Sequence, residues 1–173
     1  MKPGENKKRR GLTLLELVIS CSMLAILLTA MSTALRTGRQ AWEAHQGDAS
    51  RLEAQHGVLR HIVRQARQAT SVSAVTAEGV TTGSLSLKMP DQSIVTWSRD
   101  SANQVWYGTG GAIEPLAADI THLSFTGYKA DGQTTTTVPA EIRSLRISVG
   151  VQLPREVNGA KTLFSLVWIR SWQ

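Results

Sequence analysis

The chain has 173 residues, 42% of them hydrophobic, and a formal net charge of +6. This length allows one modest globular domain, and a single cysteine, Cys21, excludes a disulfide framework. Residues 1–11 hold five of the 19 basic residues and one of the 13 acidic residues, so the rest of the chain carries a net charge of only +2. The composition therefore gives little support to nucleic-acid binding.

The first long apolar segment, residues 12–35, contains one charged residue, Glu16. As a helix it would extend about 36 Å at ~1.5 Å per residue, enough to cross a hydrocarbon core of roughly 30 Å. A carboxylate is costly in lipid, so Glu16 is a candidate functional residue that needs a partner. A cut between Gly11 and Leu12 would place the new α-amine about one helical turn from Glu16, where it can neutralise the carboxylate.

The residues from Gly11 to Glu16, preceded by Lys7 to Arg10 and followed by the apolar segment, resemble the prepilin-peptidase site of type IV pilins and type II secretion pseudopilins. The resemblance implies cleavage after Gly11, N-methylation of Leu12 and a role for Glu16 in assembly. It also implies a pilin-like subunit whose partners are the prepilin peptidase, the inner membrane and other minor and major pseudopilins.

Two simpler interpretations compete for this segment. A plain single-pass anchor fits its length but gives Glu16 no role. A secretory signal cleaved after Ala30-Met31-Ser32 would have an apolar stretch of only about 7 to 15 residues. The basic residues before the segment favour a cytoplasmic leader and a periplasmic C-terminal domain.

A helical period continues beyond the apolar segment, which predicts one helix from about Leu12 to Gln68. Gly38, Gly47 and Gly57 mark places where this helix could bend or fray. We expect the arginines of residues 51–67 to form a solvated face, and Leu35 and Trp42 to contact neighbouring subunits. We expect one apolar stripe to pack on the protein's own sheet: Leu52, Leu59, Ile62, Val63 and Ala66.

From Ser71 the period changes to two, which indicates strands. The predicted strands are 72–77, 84–89, 93–99, 105–109, 120–129, 145–153 and 162–170, with a turn at Asp131-Gly132 and a hairpin at Asn158-Gly159. A long helix followed by antiparallel strands predicts an α+β fold. The predicted segments are a cleaved leader (1–11), a transmembrane half-helix (12–35), an exported half-helix (36–70) and a β domain (71–173).

Residues 115–153 resemble the C-terminal part of J-type minor pseudopilins, through Pro115-Leu116, Asp119 to Phe125, Tyr128, Asp131-Gly132 and Val138-Pro139. This resemblance implies a minor pseudopilin of a type II secretion filament or a related type IV pilus. The alternative is a minor pilin whose domain binds a ligand in a DNA-uptake or adhesive pilus.

The sequence shows no pattern of residues for catalysis. His45, His56, His61 and His122 lack zinc-site spacing, and Gly108 to Gly111 fits a loop better than a phosphate site. We expect Trp97, Trp106, Tyr107, Trp168 and Trp172 to lie in the core or on sheet faces. We therefore expect no enzyme activity, catalytic residue, metal site or cofactor, and neither a nucleic-acid partner nor a small-molecule substrate.

Overall fold

The computed structural model describes residues 13–153 and 159–169. The chain divides into two compact units, Met1–Ala44 and His45–Gln173. Described residues of the first unit belong almost entirely to helix α1, and the second unit contains the end of α1 and eight strands.

Helix α1 spans Leu14–Gln68, 55 residues, which confirms the predicted long helix. It is assigned as helix through Gly38, Gly47 and Gly57, so none of the three glycines ends it. A backbone hydrogen bond from Ala69 N to Gln65 O (3.0 Å) closes its last turn.

The eight described strands all pair antiparallel and form two sheets. The first sheet has the order β1-β2-β3-β4-β5 and the second the order β6-β7-β8. A short 3-10 helix, Pro139–Glu141, precedes β7. The strand bounds are β1 Ser71–Val75, β2 Ser84–Lys88, β3 Ile94–Arg99, β4 Val105–Thr109, β5 Glu114–Ala117, β6 Ile120–Tyr128, β7 Ser144–Gln152 and β8 Ala160–Trp168.

This architecture confirms the α+β fold, with two differences in detail. The sequence did not predict β5, and the strands divide into two sheets where a single sheet was expected. The division falls at Asp119, whose φ of 61° lies in the left-handed region. The chain changes direction there, so β6 pairs with β7 and not with β5.

The segment between β1 and β2 connects the sheets. Gly83 N donates to Leu123 O (2.8 Å), and Leu123 N donates to Thr81 O (2.9 Å). A Cβ on Gly83 would lie 2.7 Å from that same Leu123 oxygen, so this close approach requires glycine.

The hydrophobic core lies between the last third of α1 and the strands. Val58, Ile62 and Ala66 are buried on the helix. The strands contribute larger side chains to the same cluster: Leu85, Leu87, Trp97, Leu123, Phe125, Leu145, Ile147, Val149 and Val151. The centre of the helix face differs from the predicted stripe, because Gln55 and Val58 are fully buried while Leu52, Leu59 and Val63 are only partly buried.

One arginine of residues 51–67 corrects the prediction of a solvated face. Arg51 Nη1 donates to Gln152 O (2.9 Å), and its Nε lies 3.4 Å from Asp119 Oδ2. Arg51 therefore connects α1 to the ends of β6 and β7. Arg60, Arg64 and Arg67 are exposed, as expected.

Both predicted turns fall where chain direction changes. Gly132 has a φ of 68°, and its N donates to Lys129 O (3.0 Å), which confirms the Asp131-Gly132 turn. The antiparallel pairing of β7 with β8 confirms the second hairpin. Asn158 lies outside the described residues, and Leu153 N donates to Gly159 O (2.7 Å) beside it.

Candidate functional site

Thr13 is the first described residue, and it caps helix α1. Its Oγ1 accepts a hydrogen bond from Glu16 N (3.3 Å), and its carbonyl accepts one from Leu17 N (3.1 Å). A threonine oxygen at this position satisfies a backbone donor that has no partner within the helix. The order Thr-Leu-Leu-Glu has the spacing of a capping box, so the start of the helix is also marked in the sequence.

Glu16 therefore lies in the first turn of α1, where the helix dipole favours a negative charge. Glu16 is exposed, and within the part of the chain that the structure describes it forms no ion pair. Gly11 and Leu12, the predicted cleavage and methylation residues, lie outside the described residues. The structure thus places one of the three predicted site residues.

The apolar side chains that follow Glu16 are exposed along the whole first half of α1. Leu14 is 82% exposed and Ile26 68% exposed, with similar values for their apolar neighbours. By length and composition alone, α1 is long and apolar enough to cross a membrane. An exposed apolar surface of this extent needs lipid or protein to cover it.

Several hydroxyl groups of this segment donate to carbonyls of the same helix. Ser20 donates to Glu16 O, Thr29 to Ala25 O and Thr33 to Thr29 O, each at 2.8 Å. A hydroxyl that bonds to the carbonyl four residues earlier does not require water. These three hydroxyl groups can therefore enter an apolar medium without losing their hydrogen bonds.

Charge returns directly after the apolar segment. Arg39 Nε lies 2.8 Å from Glu43 Oε1, in an exposed pair of the i,i+4 kind. Leu35 and Trp42, which we expect to contact neighbouring subunits, are 65% and 72% exposed.

Aromatic residues in the second unit form a packed cluster. Trp97 is fully buried, and its Nε1–H donates to His61 Nδ1 (3.2 Å). The Tyr107 ring meets the His61 ring edge to face, with 4.7 Å between centroids. Burial lowers the pKa of His61, and the charge of Arg64 lowers it further. These contacts bear out the expected core role of Trp97.

The other singled-out aromatic and histidine residues occupy different places. Trp106 is half-buried, and its Nε1–H donates to Asp100 Oδ2 (2.8 Å). Trp168 is 58% exposed, and Trp172 lies outside the described residues. His122 Nε2 lies 2.9 Å from Ser124 Oγ.

One cavity of the second unit has a volume of about 330 Å³ and is rich in threonine. Thr76, Phe125 and residues 135–137 line it. Within residues 13–153 and 159–169, no three His, Cys, Asp or Glu side chains are grouped as metal ligands.

Residues 6–32 match the family model for the prokaryotic N-terminal methylation motif. The matched range contains Gly11, Leu12 and Glu16 as well as most of the exposed apolar half of α1. No curated protein and no solved structure matches the chain.

Proposed function

We propose that this type IV pilin-like subunit, whose residues 6–32 carry the prokaryotic N-terminal methylation motif, serves as a minor pseudopilin of a type II secretion filament. The observation that carries the proposal is Glu16 in the first, threonine-capped turn of α1, whose apolar first half is exposed. A carboxylate there is retained in lipid only if a cation meets it.

In this proposal the prepilin peptidase cuts after Gly11, and Leu12 becomes the methylated N-terminus. The Leu12 amine of one subunit then pairs with Glu16 of a neighbour and sets the register between the two helices. Such a buried pair acts more reliably as a specificity device than as a source of stability. The role is structural and not catalytic.

The proposed location is the inner membrane, with a single span and a periplasmic C-terminal domain. Lys7 to Arg10 stand before the span and only Arg36 and Arg39 soon after it, so the basic leader stays in the cytoplasm. The J-type resemblance over residues 115–153 supports secretion over DNA uptake or adhesion.

Processing is tested by intact mass of the protein extracted from membranes. The wild-type protein should begin at Leu12, and Gly11→Val should accumulate as the full-length precursor. Gly4→Val, a second glycine of the leader, is the control and should be processed normally. A mature form that begins at Thr33 would instead show a cleaved secretory signal.

Assembly is tested by comparing Glu16→Ala with Glu43→Ala, the same substitution at an exposed ion pair of the same helix. Both should insert, be cleaved and fold, because neither residue lies in the core. Only Glu16→Ala should lose crosslinking and co-purification with partner pseudopilins. Equal assembly by the two variants would show that Glu16 is not the docking group.

The choice of machine is tested in the native cell. Deletion of the gene should abolish secretion of folded exported enzymes and leave DNA uptake and surface adhesion unchanged. Restoration of secretion by the wild-type gene, and not by the Glu16→Ala gene, would link the phenotype to filament assembly. Loss of uptake or adhesion with normal secretion would favour the alternative minor pilin.

A further inference from the structure

Strand β8 forms an edge of the second sheet and is unusually open to another chain. Its nine residues pair with β7 in continuous register without a bulge. Within the part of the chain described, no strand pairs with its other side. The row of residues on its outer face is apolar and exposed, with Phe164 at 64%, Leu166 at 53% and Trp168 at 58%.

The other sheet edges are protected. Strand β1 contains a bulge between Val72 and Ala74. Strand β5 has four residues, one of them Pro115, and an irregular register with β4. Backbone hydrogen bonds from segments 81–83 and 134–136 cover β6. A long, regular and apolar edge without such protection is a template for pairing with another chain.

The charge beside this edge indicates what kind of chain would pair with it. Arg146 of β7 leans toward β8, where its guanidinium carbon lies 4.4 Å from the centroid of the Phe164 ring. No described carboxylate forms an ion pair with Arg146, and β7 and β8 contain no Asp or Glu. A partner strand with an acidic residue would supply the missing charge.

The same arginine disfavours pairing between two copies of the chain. Antiparallel pairing of two β8 strands would place the same outer faces side by side. Each face carries an Arg146 that leans toward the seam. The like charges would repel each other, so a different chain fits the edge better.

We propose that β8 is a docking edge to which an extended, acid-bearing strand of a different filament subunit adds as a fourth strand. The added backbone would satisfy the free side of β8, and its alternate side chains would pack on Phe164, Leu166 and Trp168. Its carboxylate would reach Arg146. The proposal depends on the proposed function only for the identity of the partner as a filament subunit.

The test uses the full chain in its native membrane, with a photo-crosslinking amino acid at position 166. The control position is Ile113, which is apolar and 73% exposed on another part of the same unit. We expect a crosslink from position 166, and none from position 113, to a different filament subunit. Mass spectrometry of the adduct should locate the linked residue in an extended segment that contains Asp or Glu.

Charge reversal provides the second measurement. Arg146→Glu should reduce the crosslink yield from position 166 at least about tenfold, the equivalent of 1.4 kcal/mol. Replacing the acidic residue of the partner segment with Lys should restore it. An unchanged thermal midpoint of Arg146→Glu would show that the domain still folds, since Arg146 is exposed.

Three outcomes would overturn the proposal. The first is a crosslink from position 166 only to another copy of this chain. The second is the absence of any crosslink while co-purification with partner pseudopilins remains normal. The third is a yield that does not change in Arg146→Glu. Failure of the proposed function would look different. In that case the protein would not be cleaved after Gly11, or Glu16→Ala would assemble as well as wild type.

Discussion

Gln55 lies fully buried where α1 meets the second sheet. Its Nε2 donates to Val149 O (2.7 Å) and to Lys161 O (2.8 Å), so one side chain joins the helix to both β7 and β8. Its Oε1 is also buried and has no hydrogen-bond partner among the described residues. The residue thus gains two hydrogen bonds and bears the cost of one unsatisfied oxygen.

We expect the stabilisation from the two hydrogen bonds of Gln55 nearly to cancel the destabilisation from its unsatisfied oxygen. Two hydrogen bonds contribute about 1 kcal/mol each, and a buried unsatisfied oxygen costs about 1–3 kcal/mol. Gln55→Met, which removes both effects, should keep the free energy of unfolding within about 1 kcal/mol of wild type. Gln55→Glu, which turns a carboxylate toward two carbonyl oxygens, should lower it by about 3 kcal/mol or more.

Urea unfolding of the two Gln55 variants measures both values. Equal destabilisation by Met and Glu would mean that the two donated hydrogen bonds outweigh the unsatisfied oxygen.

His61 should make the second unit less stable in mildly acidic solution. Burial, and after it the charge of Arg64, lowers the pKa of His61 from 6.5, and Trp97 donates to the unprotonated Nδ1 of the folded state. Below pH 6.5 the unfolded state binds the proton first, so the free energy of unfolding falls as pH decreases toward the folded-state pKa. At pH values well above 6.5 both states are neutral, and His61 adds no pH dependence.

Chemical unfolding between pH 7.5 and 5.5 measures this effect. His61→Gln keeps an acceptor for Trp97 without the titration, so its stability should depend less on pH. The pKa of His122 is also lowered, by burial and by Arg99, so His122→Gln is the matched variant for the second contribution. A His61→Gln profile that parallels wild type would contradict the role of His61.

At the scale of elements, the packing of α1 depends on a face that begins at Gln55. Ile62 is fully buried on this face, whereas Leu59 is only partly buried. Ile62→Ala should lower the free energy of unfolding by about 2–5 kcal/mol, because it leaves a cavity in the core. Leu59→Ala, its control on the same helix, should cost less than about 2 kcal/mol.

Denaturant unfolding of the two variants in parallel provides the comparison. If Leu59→Ala were the more destabilising, the helix would have to be rotated toward the stripe that hydrophobic periodicity predicts.

Periodicity located α1, most strands and the apolar stripe of the helix, whose five residues lie in the core or pack against it, but it missed Gln55 and Val58 at the centre of the buried face. Gln55 was not predicted to be buried, because an amide side chain is usually found at the surface. Its partners, Val149 O and Lys161 O, lie 94 and 106 positions further along the chain, and only the folded structure brings them to it. Periodicity also overlooked β5, which is short and contains Pro115. The division into two sheets depends on the backbone of Asp119, which residue type alone does not determine.

At the scale of the whole molecule, the buried apolar residues that the structure describes lie between Val58 and Ile169. A fragment that begins at Arg36 lacks the exposed apolar half of α1 and keeps this core. We expect it to remain soluble without detergent and to unfold cooperatively on heating. Size-exclusion chromatography and thermal circular dichroism would test this, and aggregation or a gradual melt would contradict it.

The candidate site could be predicted from the sequence because its residues lie within six positions of one another. In the proposed function, Gly11, Leu12 and Glu16 act through their spacing along one segment, and the structure adds the Thr13 cap to that pattern. The exposed edge of β8 could not be predicted from the sequence in the same way. The alternation of Phe164, Leu166 and Trp168 is visible in the sequence, but only the assembled sheets show that no described strand pairs with the other side of β8.

The contact between Gln55 and the last two strands also determines when the domain can fold. A ribosome releases the helix first, and its partners on Val149 and Lys161 follow about a hundred residues later. Until β7 and β8 are complete, the amide of Gln55 has neither of these partners, and such long-range pairing is slow. The nascent chain therefore carries an unpaired polar group and an incomplete second sheet until β8 has left the ribosome.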